Sequence, residues 1–386
     1  MNTFELDQAY IAPTYARFPI EIVSGKGALV KDSEDKKYID LGTGIAVNTF
    51  GMCDDEWIAA VTEQLHTFQH TSNLYYSAPC AALAKVLCER TGLKKVFFSN
   101  SGAEANECAI KAARRYGTTK KGEDAYTILT LCNSFHGRTI TTLSATGQDV
   151  FHQLFTPMTP GFIHAPANDL DAVRKIAEET SLAAILFEIV QGEGGVNPLT
   201  PAFVKGLAEL AKEKDILLIA DEVQCGNGRT GELYGYMNYD ITPDIVTTAK
   251  GIGGGLPIGV TMLGERVKDI FAAGDNGSTF GGNPVACAGA LNILSRLDEK
   301  MLAGVKKRSQ MIFDALTGAE GIVSISGMGL MLGVETVKPA ADVIAACRDA
   351  GVLVIKAKNK VRLLPPLNIP EELLARALDI LKAACR

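Results

Sequence analysis

The chain of 386 residues lacks four things that would each have opened a class of function: a CxxC pair, a basic block, a long apolar run and a GxxxxGK[ST] phosphate loop. Its nine cysteines are scattered singly from Cys53 to Cys385. An odd number of unpaired cysteines reads as free thiols in a reducing cytoplasm, and none is assigned a role. The N-terminus, MNTFELDQAY, is polar and acidic, so no secretory signal is expected and a cytoplasmic location is. A net charge of −6 without a basic cluster argues against nucleic acid or an anionic membrane as partner. No apolar run approaches the roughly 20 residues of a membrane span. His66 and His70 stand four apart, but no glutamate follows the first and no third ligand is near, so no metal site is expected. No internal repeat or low-complexity tract is present.

What remains is an ordinary globular composition, 47% hydrophobic and 21% charged, in a chain long enough for a large core with smaller terminal parts. Its organising stretch runs from Ile216 to Gly251. There ILLIADEVQ, an apolar run ending on Asp221, is followed by DIVTTAKGIGGG, a β-branched run that delivers Lys250 into a glycine cluster. Two buried parallel strands that each end in an ionisable residue aim both groups into a crevice at the carboxyl ends of the sheet. Such a pair either closes the sheet as a buried ion pair or serves pyridoxal 5'-phosphate (PLP). In the second case the lysine amine binds the cofactor as a Schiff base and the acid holds its ring nitrogen protonated.

Around this stretch the chain alternates strand and helix. Residues 1 to about 50 carry short alternating segments broken by glycine and a charged turn, which predicts a small antiparallel meander. Helical spacing follows from Asp54 to about His70, and a second helix begins near Ala81. Val96–Phe98 reads as a strand, Ser99–Gly102 as a tight turn and Ala103–Tyr116 as a helix. That combination creates an anion site from the hydroxyl of Ser101 and the amides of Gly102 and Ala103, or else an ordinary capped turn. A further strand exits at Phe135, which can stack on a flat ring or fill core, with Arg138 three residues on. Another ends at Glu188, ahead of Gln191 and Glu193. Repeated strand–helix–strand units predict a doubly wound layer of parallel strands. Gly226, Gly228 and Gly231 spell GxGxxG, but the strand stops five residues earlier and no helical periodicity follows, so a dinucleotide site is rejected. Beyond the loop with Ser278 and Thr279, a long apolar helix starts near Pro284. From about residue 300 come VSISGMGLMLGVE, GVLVIKAKN and KVRLLPPLNI as strands, then EELLARALDILKAAC as a closing helix. Arg362 lies among apolar neighbours there, facing solvent or held for a carboxylate.

The blocks SNSGAEANE, FHGRT, FEIVQGEGG, IADEVQCGNGRTG, TTAKGIGGGLPIG, GSTFGGNP and RLLPPL occur in one order from Tyr15 to Leu367. In that order the chain closely resembles the class III (subgroup II) aminotransferases. The resemblance implies the aspartate-aminotransferase-like α/β fold (PLP fold type I). That fold has a large domain with a mostly parallel seven-stranded sheet and a small α+β domain built from both ends of the chain. Boundaries are expected at 1–50, 51–295 and 296–386. Carried over by residue, it implies that Lys250 binds the PLP aldehyde and shuttles the proton, and that Asp221 binds the pyridinium nitrogen. Glu222 falls in the same cofactor-binding stretch. Val223 and Phe135 cover the two ring faces, and Gln224 reaches the phenolic oxygen. Gly102 and Ala103, assisted by Ser101, hold the phosphate. Thr279 reaches the phosphate of a second subunit, making the enzyme an obligate homodimer.

GIAVN (Gly44–Asn48), SNLYY (Ser72–Tyr76), FHGRT and STFGGNP most resemble family members that act on N2-acetyl-L-ornithine in arginine biosynthesis. The δ-amine would pass to 2-oxoglutarate, giving N-acetyl-L-glutamate 5-semialdehyde and L-glutamate. Arg138 and Ser278 match donor-binding positions, and Tyr15 stands near the donor's tail. Arg362 matches the arginine for the 2-oxoglutarate carboxylate, and Glu193 the glutamate that pairs with it until the keto acid enters. Three departures stand out: GMCDD (Gly51–Asp55) where relatives read GHxHP, Glu188-Ile189 where many read Glu-Pro, and no tyrosine near Gly44 of the kind that ornithine-specific members carry. The alternatives are another ω-aminotransferase (for succinylornithine, N-succinyl-diaminopimelate, ornithine or 4-aminobutyrate), a PLP aminomutase, or a non-catalytic binding protein.

Overall fold

A computed structural model describes all 386 residues. Its centre is a seven-stranded sheet, numbered here in chain order: β1 (Lys95–Ser99), β2 (Thr127–Leu131), β3 (Phe162–Ala165), β4 (Leu182–Phe187), β5 (Leu217–Asp221), β6 (Ile245–Thr248) and β7 (Gly259–Leu263). The spatial order is β1-β7-β6-β5-β4-β2-β3. Only β7 runs antiparallel to its neighbours. The sheet is thus mostly parallel, as the strand–helix alternation predicts.

Both faces of this sheet are covered, which is why its central strands read as unbroken apolar runs. Every residue of β4 and β5 is buried. Side chains alternate across the plane of a strand, so β5 contributes to two cores. Leu218 and Ala220 join Phe203, Val204 and Leu207 of the helix Pro201–Glu213. Leu217 and Ile219 join Ala109, Ile110 and Ala113 of the helix Gly102–Lys120. The next residue in the second series is Asp221, so the pleat alone turns its carboxylate toward the start of Gly102–Lys120. Parallel register puts Asp221 opposite Thr247, and Lys250 follows three residues later.

The N-terminal meander forms as expected from Ile22–Lys26, Leu29–Asp32 and Lys37–Asp40, and Val352–Leu353 from the far end of the chain pairs parallel to its last strand. A second antiparallel sheet takes Ile322–Met328, Met331–Thr336, Lys360–Leu363 and Ile355–Ala357, with the closing helix at Glu371–Cys385. Four details differ from the sequence reading, one of them the split of GVLVIKAKN between the two small sheets just described. A helix, Thr3–Tyr10, precedes the meander; Asn2 and Glu5 form a capping box, and it buries no residue, so no apolar period betrays it. VSISGMGLMLGVE is two strands, not one, because Gly329 turns the chain at φ +59°. The apolar helix from Pro284 stops at Arg296, and a new one, capped by Asp298, spans Glu299–Leu316.

Candidate active site

A cavity of about 620 Å³ opens at the carboxyl ends of β5 and β6. Ser101, Gly102, Ala103, Phe135, Asp221, Val223, Gln224 and Lys250 all lie on its wall, as do Arg138 and Tyr15. A larger groove, about 960 Å³, lies among the helices Asp55–Thr67, Ala78–Thr91 and Pro284–Arg296, but it gathers none of these groups. The chemistry belongs to the smaller cavity.

At its floor Asp221 is buried and accepts three hydrogen bonds. Oδ2 lies 2.8 Å from both Asn106 Nδ2 and His136 Nδ1, and Oδ1 takes the Val223 amide at 3.0 Å. A carboxylate oxygen only accepts, so the imidazole proton in this pair sits on Nδ1. Asn106 is itself fixed: its amide also donates to His136 O at 2.8 Å, and its Oδ1 accepts from Thr247 Oγ1 at 2.7 Å. The carboxylate therefore has one orientation, set by two strands and a helix. Beside it Glu188 accepts the amides of Phe135 (2.9 Å) and Gly192 (3.2 Å), and burial pushes its carboxyl up to about 7.

The Lys250 amine makes no hydrogen bond or ion pair within the chain, and burial pushes it below the usual lysine range against the pull of Glu193 and Asp221. Its backbone sits at φ +49°, in the left-handed region where a side chain is strained by of order 1–3 kcal/mol. At the other end of the cavity, Ser101 caps the helix Gly102–Lys120: its hydroxyl accepts from the Glu104 amide at 3.2 Å and donates to Glu104 Oε2 at 3.1 Å. The Gly102 and Ala103 amides, in the first turn, have no intrahelical acceptor and form an anion site. Only glycine fits at 102, because a Cβ there would stand 2.6 Å from Val223 Cγ1.

Behind Gln224 a second cation is held. Arg362 is buried, and its Nη1 donates to Glu193 Oε1 at 2.6 Å and to Gln224 Oε1 at 3.1 Å. Its Nε has no partner. The two carboxyl-binding candidates are thus unlike: Arg362 is masked by an acid, whereas Arg138 is exposed with no acidic partner.

The model of the Aminotransferase class-III family matches residues 10–385. The chain belongs to the class-III aminotransferases. It is 50% identical over 379 residues to the acetylornithine aminotransferase of Haemophilus ducreyi, covering 98% of this chain and 96% of that protein. The same-named protein of Methanocaldococcus jannaschii is 41% identical, over 98% and 97% of the two chains. Among solved structures, the ornithine aminotransferase of Toxoplasma gondii superposes with a TM-score of 0.95 at 32% identity, covering 99% and 94% of the chains. The N-acetylornithine aminotransferase of Stenotrophomonas maltophilia gives 0.85 at 34%, covering 99% and 98%.

This aminotransferase is a PLP enzyme, and its residues fit the cofactor. The cavity offers an unpaired amine, an oriented carboxylate, free helix amides for a phosphate and two apolar walls, Val223 and Phe135. Two members of the expected cofactor set lie off the wall. Glu222, the neighbour of Asp221, points the opposite way and accepts the Gly235 and Tyr236 amides at 2.7 and 2.8 Å. Thr279 is exposed, outside the cavity of its own chain. Ser278 touches the rim through Asn100, whose Nδ2 donates to its Oγ at 3.1 Å.

Asn106 and the role of His136 escaped the sequence reading. The signal for Asn106 was present: it sits between Ala105 and Ala109 on the buried face of a helix, where an asparagine needs partners. For His136 no local signal exists, since Asp221 is 85 residues away.

Proposed function

We propose that this aminotransferase moves the δ-amine of N2-acetyl-L-ornithine to 2-oxoglutarate. The products are N-acetyl-L-glutamate 5-semialdehyde and L-glutamate, and arginine biosynthesis is the setting. The observation that carries the reading is the pair of unlike arginines. A donor with its amine at one end and its only carboxylate at the other suits a free Arg138 and a neutralised Arg362. A dicarboxylic keto acid can displace Glu193 and take the Arg362 fork in its place.

When bound, PLP supplies an electron sink for the carbon that loses its proton. Asp221, immobilised by Asn106 and His136, would accept the ring N–H, and the Gly102 and Ala103 amides, with Ser101 as cap, would hold the phosphate. Val223 and Phe135, on the cavity wall, would cover the two ring faces, and Gln224 would reach the phenolic oxygen. Lys250 Nζ holds the cofactor and moves the proton of the donor's δ carbon. Burial favours its neutral form, the one able to act as base. Tyr15, at the mouth, packs along the donor's tail, with Ser278 at the rim.

A homodimer fits the same reading. Asn73 ties the segment 72–76 to the loop 278–281 by two 3.0 Å bonds to Ser278 O and Gly281 O. Leu74, Tyr75, Tyr76 and Phe280 stand exposed there, Tyr76 fully so. A second copy would cover them and bring Thr279 to its phosphate site. We take 51–295 as the cofactor domain and 1–50 with 296–386 as the small domain, and we place the enzyme in the cytoplasm, where its nine free cysteines stay reduced.

Steady-state kinetics on a donor panel tests the assignment. N2-acetylornithine should exceed free ornithine in kcat/KM by roughly tenfold or more, the worth of a few lost contacts. Comparable values for ornithine, toward which the Toxoplasma gondii likeness points, would replace the acyl-donor reading with an ornithine one. Turnover without 2-oxoglutarate would indicate a mutase.

A further inference from the structure

We propose that Phe151 is the residue that sets the donor-binding posture of Arg138, and with it the enzyme's preference for a donor that carries a carboxylate. The inference rests on the proposed function above.

Arg138 has no ion pair and no hydrogen bond, yet it is not a loose surface arginine. Its guanidinium carbon lies 4.2 Å from the centroid of Phe151 and 5.5 Å from that of Phe135. The two rings meet edge to face, with centroids 6.0 Å apart and planes at 73°. A guanidinium against aromatic rings leaves its N–H edge for a planar acceptor. Phe135 is on the cavity wall and can serve the cofactor at the same time. Phe151 is not on that wall, so its ring serves the arginine.

The chain fixes Phe151 where the side chain is needed. It ends a short 3-10 turn, Asp149–Phe151, in an otherwise exposed stretch. One flank of the turn is pinned to the loop that carries Arg138 and the other to the helix Ile140–Ala145 that follows it. Gln148 Nε2 donates to Ser134 O at 3.0 Å, and His152 Nε2 lies 2.7 Å from Thr146 O and 3.0 Å from Leu143 O. The Phe151 amide closes the turn on Gln148 O at 3.0 Å. Neighbouring Val150, Leu154 and Phe155 are exposed, whereas Phe151 is half-buried against the arginine.

The test compares two donors in Phe151→Leu and Phe151→Trp: N2-acetylornithine, and N-acetyl-1,4-diaminobutane, which is the same molecule without its carboxylate. Phe151→Leu should raise KM for N2-acetylornithine roughly tenfold, the worth of one partly desolvated cation–π contact. It should leave kcat and the visible absorption of the bound cofactor unchanged. Phe151→Trp, which keeps an aromatic face, should restore KM, and the decarboxylated donor should not distinguish leucine from phenylalanine. In an Arg138→Gln background Phe151→Leu should add nothing. Equal losses with both donors, or a further loss in that background, would reduce Phe151 to a packing residue and overturn the proposal. If the leucine variant does not fold, Phe151→Met is read by the same criteria. A wild-type enzyme with no activity on N2-acetylornithine would overturn the functional reading itself, whereas an active wild type with an unaltered Phe151→Leu overturns only this inference.

Discussion

The floor and the mouth of the cavity are built on different principles. At the floor, Asp221 is 3% exposed and takes hydrogen bonds from a helix side chain, a loop imidazole and a backbone amide. At the mouth, Tyr15 is 72% exposed, and Arg138 is steadied by ring faces instead of an acid. A strand end, a helix side chain and a loop imidazole converge on the floor, whereas loop residues alone form the mouth. Arg362 and Glu193 are intermediate: the arginine comes from a strand of the C-terminal sheet and the glutamate from the loop after β4, so the pair can part without disturbing the floor.

Kinetics can break this contrast. Lys250→Ala acts at the floor and should cut kcat in both half-reactions by on the order of 10²–10⁴-fold, the usual range for loss of a positioned proton carrier. A variant that lost only one half-reaction would place Lys250 at the mouth. Arg362→Lys should instead split the halves, raising KM for 2-oxoglutarate about tenfold while sparing the amine donor, because lysine lacks the planar fork. Equal damage to both halves would make the arginine part of the floor. Tyr76→Ser combined with Leu74→Ser should shift sedimentation toward monomer and lower activity with it. An unchanged dimer would place the interface elsewhere.

The smallest expected effect lies behind the floor. Burial pushes Glu222 up to about 8, from 4.5 for a free glutamate. The folded chain then keeps a proton that the unfolded chain releases, so the contribution of Glu222 to stability is greatest below about 4.5 and is lost as pH rises toward 8. Glu222→Gln removes that titration. Its Tm should vary less between pH 5 and pH 8 than the wild type's, and an unaltered slope in thermal melts would show that Glu222 is ionised in the fold.

Much of the floor was legible in the sequence because short-range rules apply there. An apolar run ending in an acid, a β-branched run ending in a lysine and a small-residue turn before a helix each state their own geometry. Glu222 shows where local reading fails: its proximity to Asp221 in the chain suggested a shared site, but the pleat sends adjacent side chains to opposite faces. Thr3–Tyr10 failed for a different reason, since a helix that buries nothing leaves no apolar period.

By itself, then, the sequence determined the alternating layer, the strand ends that bear Asp221 and Lys250, and the family. Tertiary structure alone decided that Asn106 and His136 lock the acid, and that Phe151 meets Arg138. Each of these depends on side chains brought together across elements, and a contact between distant positions leaves no local pattern because neither residue's neighbours record the other.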